Sequence, residues 1–451
     1  MFRLDPKDRQ MGLYFRKSAA ALLAGAMGLM ASTAMAQEKV RVEWWHAMGG
    51  RLGEIVDQLI ADFNASQDQY EVVGVNKGSY AETFAAMIAA YRVNQHPTLV
   101  QATERSFLTM LYSDAVVPVG ELMAAEGYEI DWDDFVTPVA DFYIVDETPA
   151  ALPFNSSTAI LWYNADHFRE AGFDAPAETW QELETQLYAI KEQGVSDCSM
   201  ALAGDFIWSM IEGYSAINDY PYATSANGYG GLDTQYLFNT TPVVGQVERM
   251  KKWIDDDVLQ IAGQGLSPTQ LFTSGDCSTY IASTATHAAV ESGAEFDWSA
   301  TFMPHDEGTA EPLNSNIGGA ALWVLKGKSD EEQAGAAAFL DFIAKPETQA
   351  WWSGETGYVP VTNAAYELMR SQGFFEEHPT REIAILQLTR GEPTENSRGF
   401  RFGNSDQTFA VMNEELQAVW TGQKSVQEAL DSSVERGNAI LRQYETLHAG
   451  K

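Results

Sequence analysis

The residue types that perform covalent catalysis or bind metals occur in this sequence, but not at the spacings that such chemistry needs. The sequence has no His-Glu-x-x-His pair, no Gly-x-Ser-x-Gly elbow and no Gly-x-x-x-x-Gly-Lys-Ser/Thr phosphate loop. The acidic runs 131–134 and 255–257 lack the spacing of a calcium loop, and the histidines are scattered. The glycine-rich stretch 49–53 lacks the dinucleotide fingerprint. We therefore predict a protein without metal, cofactor or enzymatic reaction.

Polar groups that could hold a ligand without reacting with it follow strands predicted near the start of the chain. Alternating or apolar runs predict strands at 40–45, 70–75 and 98–102. Apolar stripes predict helices at 52–63 and 81–91. This β-α-β-α-β order predicts a mostly parallel sheet covered by helices on both faces. Ligands of such sheets bind beyond the carboxyl ends of the strands, here at residues 46–50, 77–80 and 103–104.

The rest of the chain alternates less regularly. Further strands are predicted at 159–163, 277–283 and 320–325. Helices are predicted at 180–193, 208–217, 243–253, 331–344 and near the C-terminus. No internal repeat is present, so the pattern favours an irregular α/β protein large enough for two lobes.

The first 36 residues have the composition of an export signal. Arg16 and Lys17 supply positive charge, residues 19–32 are apolar, and the tripeptide at 34–36 is a small-residue cleavage site. A membrane anchor is the alternative, but the apolar run is shorter than the ~20 residues that cross a bilayer. We therefore expect cleavage after Ala36 and a periplasmic location.

The net charge limits the kinds of partner that the protein can bind. The formal net charge of −35 repels nucleic acid, so we predict no nucleic-acid partner, and an anionic ligand would need a local set of donors.

The two cysteines, Cys198 and Cys277, both lie in the part expected to be exported, where a disulfide is plausible. Two buried thiols are the alternative, and the sequence does not decide between them.

Several short blocks have the order and spacing of a known family. They are Trp45-His46-Ala47-Met48, Lys77-Gly78-Ser79-Tyr80, Pro153-Phe154-Asn155-Ser156-Ser157-Thr158, Ile317-Gly318-Gly319-Ala320, Thr356-Gly357-Tyr358-Val359-Pro360, Gly399-Phe400-Arg401-Phe402-Gly403-Asn404 and a closing stretch at 419–438. In these blocks the chain resembles the solute-binding proteins of ABC importers that include the maltose-binding protein. Within that group it is most similar to the binders of sn-glycerol 3-phosphate and glycerophosphodiesters.

The resemblance implies an α/β, two-lobed periplasmic binding protein fold of type II, with mixed sheets flanked by helices and a ligand cleft between the lobes. The first lobe would comprise 37–154 plus 287–354, and the second 155–286 plus 355–451. Chain crossings are expected near 154–158, 283–287 and 352–358. Closure of the lobes of a monomer around a small glycerol phosphoester would then present a surface to the inner-membrane permease subunits.

The resemblance also implies a binding site. Tyr80 and Glu104 would contact the glycerol hydroxyls, with Glu104 as acceptor. Arg401 would be the strong cation, because its planar fork suits bidentate phosphate contact. The remaining implied donors to phosphate are Ser156, Ser157, Ser283, the backbone N–H of Gly319 and Tyr358. The alternatives are that Ser156 is a structural hydroxyl, that Arg401 forms a surface ion pair, and that Tyr80 and Tyr358 are aromatic residues of turns.

The sequence departs from the family at a pair of tryptophans that covers the ligand in relatives preferring glycerol 3-phosphate. Trp208 matches the second tryptophan, but Asp205 occupies the position of the first. Near a phosphate dianion that carboxylate would be repulsive; near choline it would be attractive, with Trp208 offering a cation–π face. We therefore expect glycerophosphocholine to be preferred over glycerol 3-phosphate. The alternative is that Asp205 is a solvated loop residue that only widens the cleft.

Two other functions fit parts of the pattern. A binder of neutral oligosaccharides would share the fold, but it would not need a cluster of serines with Arg401. An exported phosphodiester hydrolase would need a nucleophile or metal constellation and would release product.

Overall fold

The computed structural model describes residues 38–261 and 267–449. Its first sheet confirms the predicted mostly parallel arrangement, because Val40–His46 pairs in parallel with Tyr70–Asn76 and with Leu99–Thr103. Ala320–Leu325 then joins the sheet antiparallel to Leu99–Thr103. The shorter strands Val116–Val117 and Leu152–Pro153 both pair with Ala320–Leu325.

The burial of these strands follows from their place between helices. Every residue of Ala320–Leu325 is buried, because the strand lies inside the sheet and both of its faces are covered. The helix Gly50–Ser66 packs one apolar face onto the sheet and buries Ile55, Leu59 and Phe63. This layered core holds the carboxyl ends of the parallel strands in fixed positions.

The second sheet has its own core. Its strands, in order across the sheet, are Leu259–Ile261, Cys198–Leu202, Cys277–Ser283, Ala159–Asn164 and Trp298–Thr301. Cys277 lies opposite Cys198 in the register of two parallel strands, with their Cα atoms 4.6 Å apart, and the two form a disulfide. Of the two possibilities that the sequence left open, the structure therefore has the bridge.

The structure corrects the expected lobe boundaries. We expected 287–354 in the first lobe, but Trp298–Thr301 pairs with Ala159–Asn164 at the edge of the second sheet. The chain returns to the first sheet only at Ala320, after Gly318 has bridged to Ser157. Val361 and Ile385, which we expected in the second lobe, pack in the core of the first sheet. Strand pairing fixes the position of Trp298–Thr301, and packing against distant residues fixes that of Val361 and Ile385; local pattern reports neither.

The connections are mainly helical, and no helix in the described part of the chain is both long and apolar enough to cross a membrane. The α-helices are Gly50–Ser66, Tyr80–Tyr91, Phe107–Leu111, Val119–Ala125, Thr137–Tyr143, Ala165–Glu170, Trp180–Gln193, Gly213–Ile217, Thr224–Asn227, Val243–Asp255, Pro268–Thr273, His287–Gly293, Asp330–Ala344, Pro346–Thr356, Asn363–Ser371, Phe374–Glu377, Ile383–Leu388, Ser405–Trp420 and Val426–His448. A π-helical segment spans Ile207–Glu212. The export signal and its cleavage site lie outside the described residues.

Candidate ligand-binding cleft

A cavity of about 220 Å³ lies where segments that leave the two sheets meet, and we call it the inner cavity. Its walls are formed by Tyr80, Thr103, Glu104, Arg105, Ser157, Asp205, Trp208, Ser283, Ala285, Gly318, Gly319 and Tyr358. Most of the residues predicted as a site are therefore brought together, and Ser156 and Arg401 are the exceptions.

Strand ends and helix starts position the polar groups of the inner cavity. Tyr80 begins the helix Tyr80–Tyr91, which is fixed by a capping box between Ser79 and Glu82. Glu104 begins a 3₁₀ turn directly after the strand Leu99–Thr103, at the edge where ligands of parallel sheets bind. Ser283 ends its strand in the second sheet, so both sheets contribute one edge to the same cavity.

A hydrogen-bond chain holds the Tyr80 hydroxyl in place. Gln101 donates to the amide oxygen of Asn155, and Asn155 donates to the hydroxyl of Tyr80, both at 2.9 Å. Burial raises the pKa of Tyr80 well above its ordinary value, and it also raises the pKa of Tyr358. Both phenols therefore keep their protons near neutral pH. Because Asn155 donates to it, the Tyr80 hydroxyl keeps its own proton to donate, either to the neighbouring Tyr358 or to a ligand oxygen.

Gly318 and Gly319, in the segment that leads into the strand Ala320–Leu325, let this segment approach its neighbours closely. Gly319 has a φ of +101°, and a Cβ there would stand 2.0 Å from the carbonyl oxygen of Asn155. A Cβ on Gly318 would stand 2.4 Å from the ring of Trp208. The indole N–H of Trp208 donates to the carbonyl of Ile317 at 3.1 Å. Trp208 is thus a fixed, buried wall of the cavity.

Arg105 is the cation that lines the inner cavity, and it is not among the site residues predicted from the sequence. Its Nε lies 3.6 Å from Oε1 of Glu104 and 3.8 Å from Oδ1 of Asp406, and its guanidinium carbon stands 4.8 Å from the centre of the Phe409 ring. The signal was available, because Arg105 follows Glu104 directly at a predicted strand end. The 3₁₀ turn at Glu104–Ser106 lets both neighbours line the cavity.

The two carboxyl groups beside Arg105, those of Glu104 and Asp205, both have raised pKa values. Burial raises the pKa of Glu104 to about 7, although the positive charge of Arg105 acts in the opposite direction. The pKa of Asp205 is also raised, because the surrounding protein displaces water from it, and Arg105 again opposes the shift. Glu104 is therefore a carboxyl group that exchanges its proton close to neutral pH.

Arg401 and Ser156 correct the predicted site. The Nη2 of Arg401 donates to the carbonyl oxygens of Asp141, Phe142 and Ile144 at 2.7, 2.6 and 3.0 Å, so it is engaged by the end of the helix Thr137–Tyr143 and not by the cavity. Ser156 is buried in the wall, where its carbonyl accepts from the N–H of Val359. Ser156 therefore fits the alternative that it is a structural hydroxyl. Arg401 is hydrogen-bonded to backbone carbonyls inside the protein, so it neither lines the cavity nor forms a surface ion pair.

Comparison with known proteins identifies the family. The sequence profile of bacterial extracellular solute-binding proteins matches residues 58–382, which is well over half of the chain. The chain belongs to this family.

The curated relatives of this solute-binding protein match almost end to end. It is 38% identical over 438 residues to the sn-glycerol-3-phosphate-binding periplasmic protein UgpB of Escherichia coli K12, covering 96% of this chain and 98% of the relative. The UgpB protein of Escherichia coli O1:K1 is 39% identical over 435 residues, covering 95% of this chain and 98% of the relative. The resemblance seen in the sequence blocks is thereby confirmed.

Solved structures confirm the two-lobed fold of this solute-binding protein. UgpB from Mycobacterium tuberculosis in complex with glycerophosphocholine has a TM-score of 0.77 at 20% identity, covering 90% of this chain and 99% of that one. The cyclic alpha-maltosyl-1,6-maltose binding protein from Arthrobacter globiformis has a TM-score of 0.72 at 20% identity, covering 90% and 100%. At these identities the structures establish the architecture, and the ligand must be argued from the residues.

Proposed function

We propose that this chain is the extracytoplasmic substrate-binding component of an ABC importer and that it captures a glycerol phosphoester. The observation that carries the proposal is the meeting of Tyr80, Glu104, Ser283 and Gly319 on one inner cavity, between segments from both sheets. The full-length relatives that bind sn-glycerol 3-phosphate support the same substrate class. Closure of the two lobes around the ligand would signal occupancy to the permease.

Each end of a glycerol phosphoester finds suitable groups in the inner cavity. The hydroxyl of Tyr80 and the carboxyl group of Glu104 suit the glycerol hydroxyls. The hydroxyls of Ser157 and Ser283, the N–H of Gly319 and the phenol of Tyr358 suit phosphate oxygens. Such preorganised neutral donors stabilise an anion without bringing a second counter-ion into the site.

Charge favours a diester with a cationic group over a monoester. A phosphate monoester carries about −1.5 to −2 charge at pH 7, whereas a diester lacks the second ionisation and carries about −1. The charge of Asp205, together with the partial charge that Glu104 carries near pH 7, would repel the larger charge, and Asp205 can attract an ammonium group. We therefore propose glycerophosphocholine as the preferred ligand and sn-glycerol 3-phosphate as a weaker one.

The proposal also covers the cellular location of the protein, its oligomeric state and its protein partners. The relatives are periplasmic by name, and we propose export of this chain with cleavage after Ala36, followed by action as a monomer with inner-membrane permease subunits. Binding without catalysis and without nucleic acid is part of the proposal. Incubation of the protein with glycerophosphocholine should release no choline; release would favour the hydrolase alternative.

Calorimetric titration of the purified protein tests the ligand. We expect clear binding of glycerophosphocholine and weaker binding of sn-glycerol 3-phosphate. Tight binding of the monoester alone would contradict the preference but not the substrate class. Binding of a neutral oligosaccharide, with neither phosphoester bound, would replace the proposal by the sugar alternative.

A further inference from the structure

A second cavity of about 340 Å³ adjoins the inner cavity, and we call it the outer cavity. Its lining residues are Tyr80, Ala81, Thr103, Arg105, Ser106, Gly204, Asp205, Ile207, Asp406, Phe409, Ala410 and Asn413. Tyr80, Thr103, Arg105 and Asp205 line both cavities, so the two spaces meet along these four side chains. The site is therefore longer than the inner cavity alone. We call the boundary formed by these four side chains the partition, and Arg105 is its cation.

Arg105 has unused hydrogen-bonding capacity at this partition. In the described part of the chain its guanidinium donates no hydrogen bond, and its buried Nε has none. Its ion contacts with Glu104 and Asp406 are 3.6 and 3.8 Å long, beyond hydrogen-bond distance. A planar guanidinium that is largely removed from water and not hydrogen-bonded is suited to an incoming anion that accepts two parallel bonds. Arg401 does not fill this role, because it lines neither cavity and its Nη2 already donates to three backbone carbonyls.

The far wall of the outer cavity is one face of the helix Ser405–Trp420. Asp406, Phe409 and Asn413 are spaced three and four residues apart, so they lie along the same side of that helix. Asp205 lines the cavity from the segment before the π-helix Ile207–Glu212. The space beyond Arg105 thus combines two carboxylates, an aromatic ring and an amide, which is a suitable environment for an ammonium group.

We propose that the ligand spans the partition, with its glycerol in the inner cavity, its phosphate between the neutral donors of that cavity and Arg105, and a cationic head group in the outer cavity between Asp205 and Asp406. This inference rests on the proposed function and extends it, because it assigns the head group to a subsite of its own. A phosphodiester bearing an alkylammonium group places a negative and a positive charge in the same order as Arg105 and the two aspartates. A monoester leaves the outer cavity empty, and a diester with a neutral alcohol fills it without using the carboxylates.

Titration of Asp406→Asn with three ligands tests the subsite. The ligands are glycerophosphocholine, glycerophosphoglycerol, whose head group is neutral, and sn-glycerol 3-phosphate, which has no head group. We expect a roughly tenfold weaker Kd for glycerophosphocholine, as suits one desolvated cation contact. The other two ligands should change by less than about twofold. The control is Glu414→Gln, which removes the same charge from the same helix on a side paired with Arg436, outside both cavities.

A second variant tests the phosphate contact. Arg105→Gln should weaken all three ligands by about a hundredfold, since it removes a desolvated charge partner of their common phosphate, while Arg105→Lys should restore part of the affinity. Equal losses for the three ligands in Asp406→Asn, or no loss for glycerophosphocholine, would overturn the head-group subsite. Unchanged affinity in Arg105→Gln would overturn the phosphate contact. Failure of the unmodified protein to bind any phosphoester would instead contradict the proposed function itself.

Discussion

The guanidinium of Arg401 donates to the carbonyl oxygen of Phe142 at 2.6 Å and lies 4.1 Å from the centre of the Tyr229 ring. Asp141 and Ile144 accept from the same nitrogen, so one side chain satisfies three carbonyls at the end of the helix Thr137–Tyr143. Helix ends leave such carbonyls without intrahelical partners. Arg401 therefore ties the segment around 399–402 to a helix of the first sheet's core.

Replacement of this anchor should affect stability more than binding. We expect Arg401→Met to lower the free energy of unfolding by about 2–4 kcal/mol, because it leaves buried carbonyls without a donor. The Kd for glycerophosphocholine should change little while the protein is folded. Chemical denaturation and calorimetric titration measure the two effects. A large loss of affinity with unchanged stability would mean that Arg401 contacts the ligand.

The disulfide should stabilise the second sheet without shaping the cleft. Cys198 and Cys277 begin their strands, whereas Ser283, at the other end of one of these strands, lines the cavity. The bridge closes a sequence separation of 79 residues, so the double variant Cys198→Ala/Cys277→Ala should lose about 2–5 kcal/mol of stability. Denaturation with and without a reducing agent checks this, since the variant should no longer respond to reduction. Equal stability of oxidised and reduced protein would contradict it.

Gly319 should not tolerate a side chain. Its φ of +101° disfavours other residues, and a Cβ would collide with the backbone oxygen of Asn155 at 2.0 Å. We expect Gly319→Ala to cost more than about 2 kcal/mol and to weaken ligand binding, because the cavity wall must move. Gly308→Ala is the matched control, as a Cβ there meets nothing within 4 Å. Thermal melting and titration of both variants separate the effect of the site from that of glycine replacement in general.

The sequence predicts the position of a site residue where local pattern determines it. It fails where packing against distant parts of the chain determines that position. Tyr80 and Glu104 could be placed at the cavity because period-two strands and amphipathic helices mark the edge of a parallel sheet. Arg105 lay one residue away and was missed, since the 3₁₀ turn that lets both neighbours line the cavity is not visible in the pattern. Arg401 was misplaced because carbonyls some 260 residues earlier in the chain determine its direction.

The edge strand Trp298–Thr301 was missed for a similar reason. Its four residues are too few for a clear alternation, and pairing with Ala159–Asn164 defines it. The lobe division that we propose therefore assigns 155–316 to the second lobe, and the return to the first sheet occurs just before Ala320. Val361 and Ile385 pack in the first core, whereas Ile383 packs against the second sheet and Gln387 donates to the carbonyl of Ala159, so the segment that ends at 388 contacts both sheets.

Aspartate at position 205 should decide between phosphoesters. Asp205→Trp introduces the tryptophan that the family resemblance implies for monoester-preferring relatives, and it would fill space shared by the inner and outer cavities. We expect binding of glycerophosphocholine to be lost and binding of sn-glycerol 3-phosphate to be kept or improved, since one repulsive charge is removed. Asp205→Asn is the control that removes the charge without adding volume. Full affinity of the tryptophan variant for glycerophosphocholine would refute the role given to Asp205.

The carboxyl group of Glu104 should make stability depend on pH. Its pKa is raised by burial to about 7 from an ordinary value of 4.5, so the folded state holds a proton that the unfolded chain has already released between these two values. Because the unfolded state binds fewer protons in that window, stability must fall as pH rises from about 4.5 to 7, by at most about 3 kcal/mol. Glu104→Gln removes the titrating group and should therefore be more stable than the unmodified protein at pH 8, with the advantage disappearing at pH 4.5. Denaturation midpoints of both proteins across this range test the sign, and an advantage that grows as the pH falls would show that Glu104 is held ionised in the folded state.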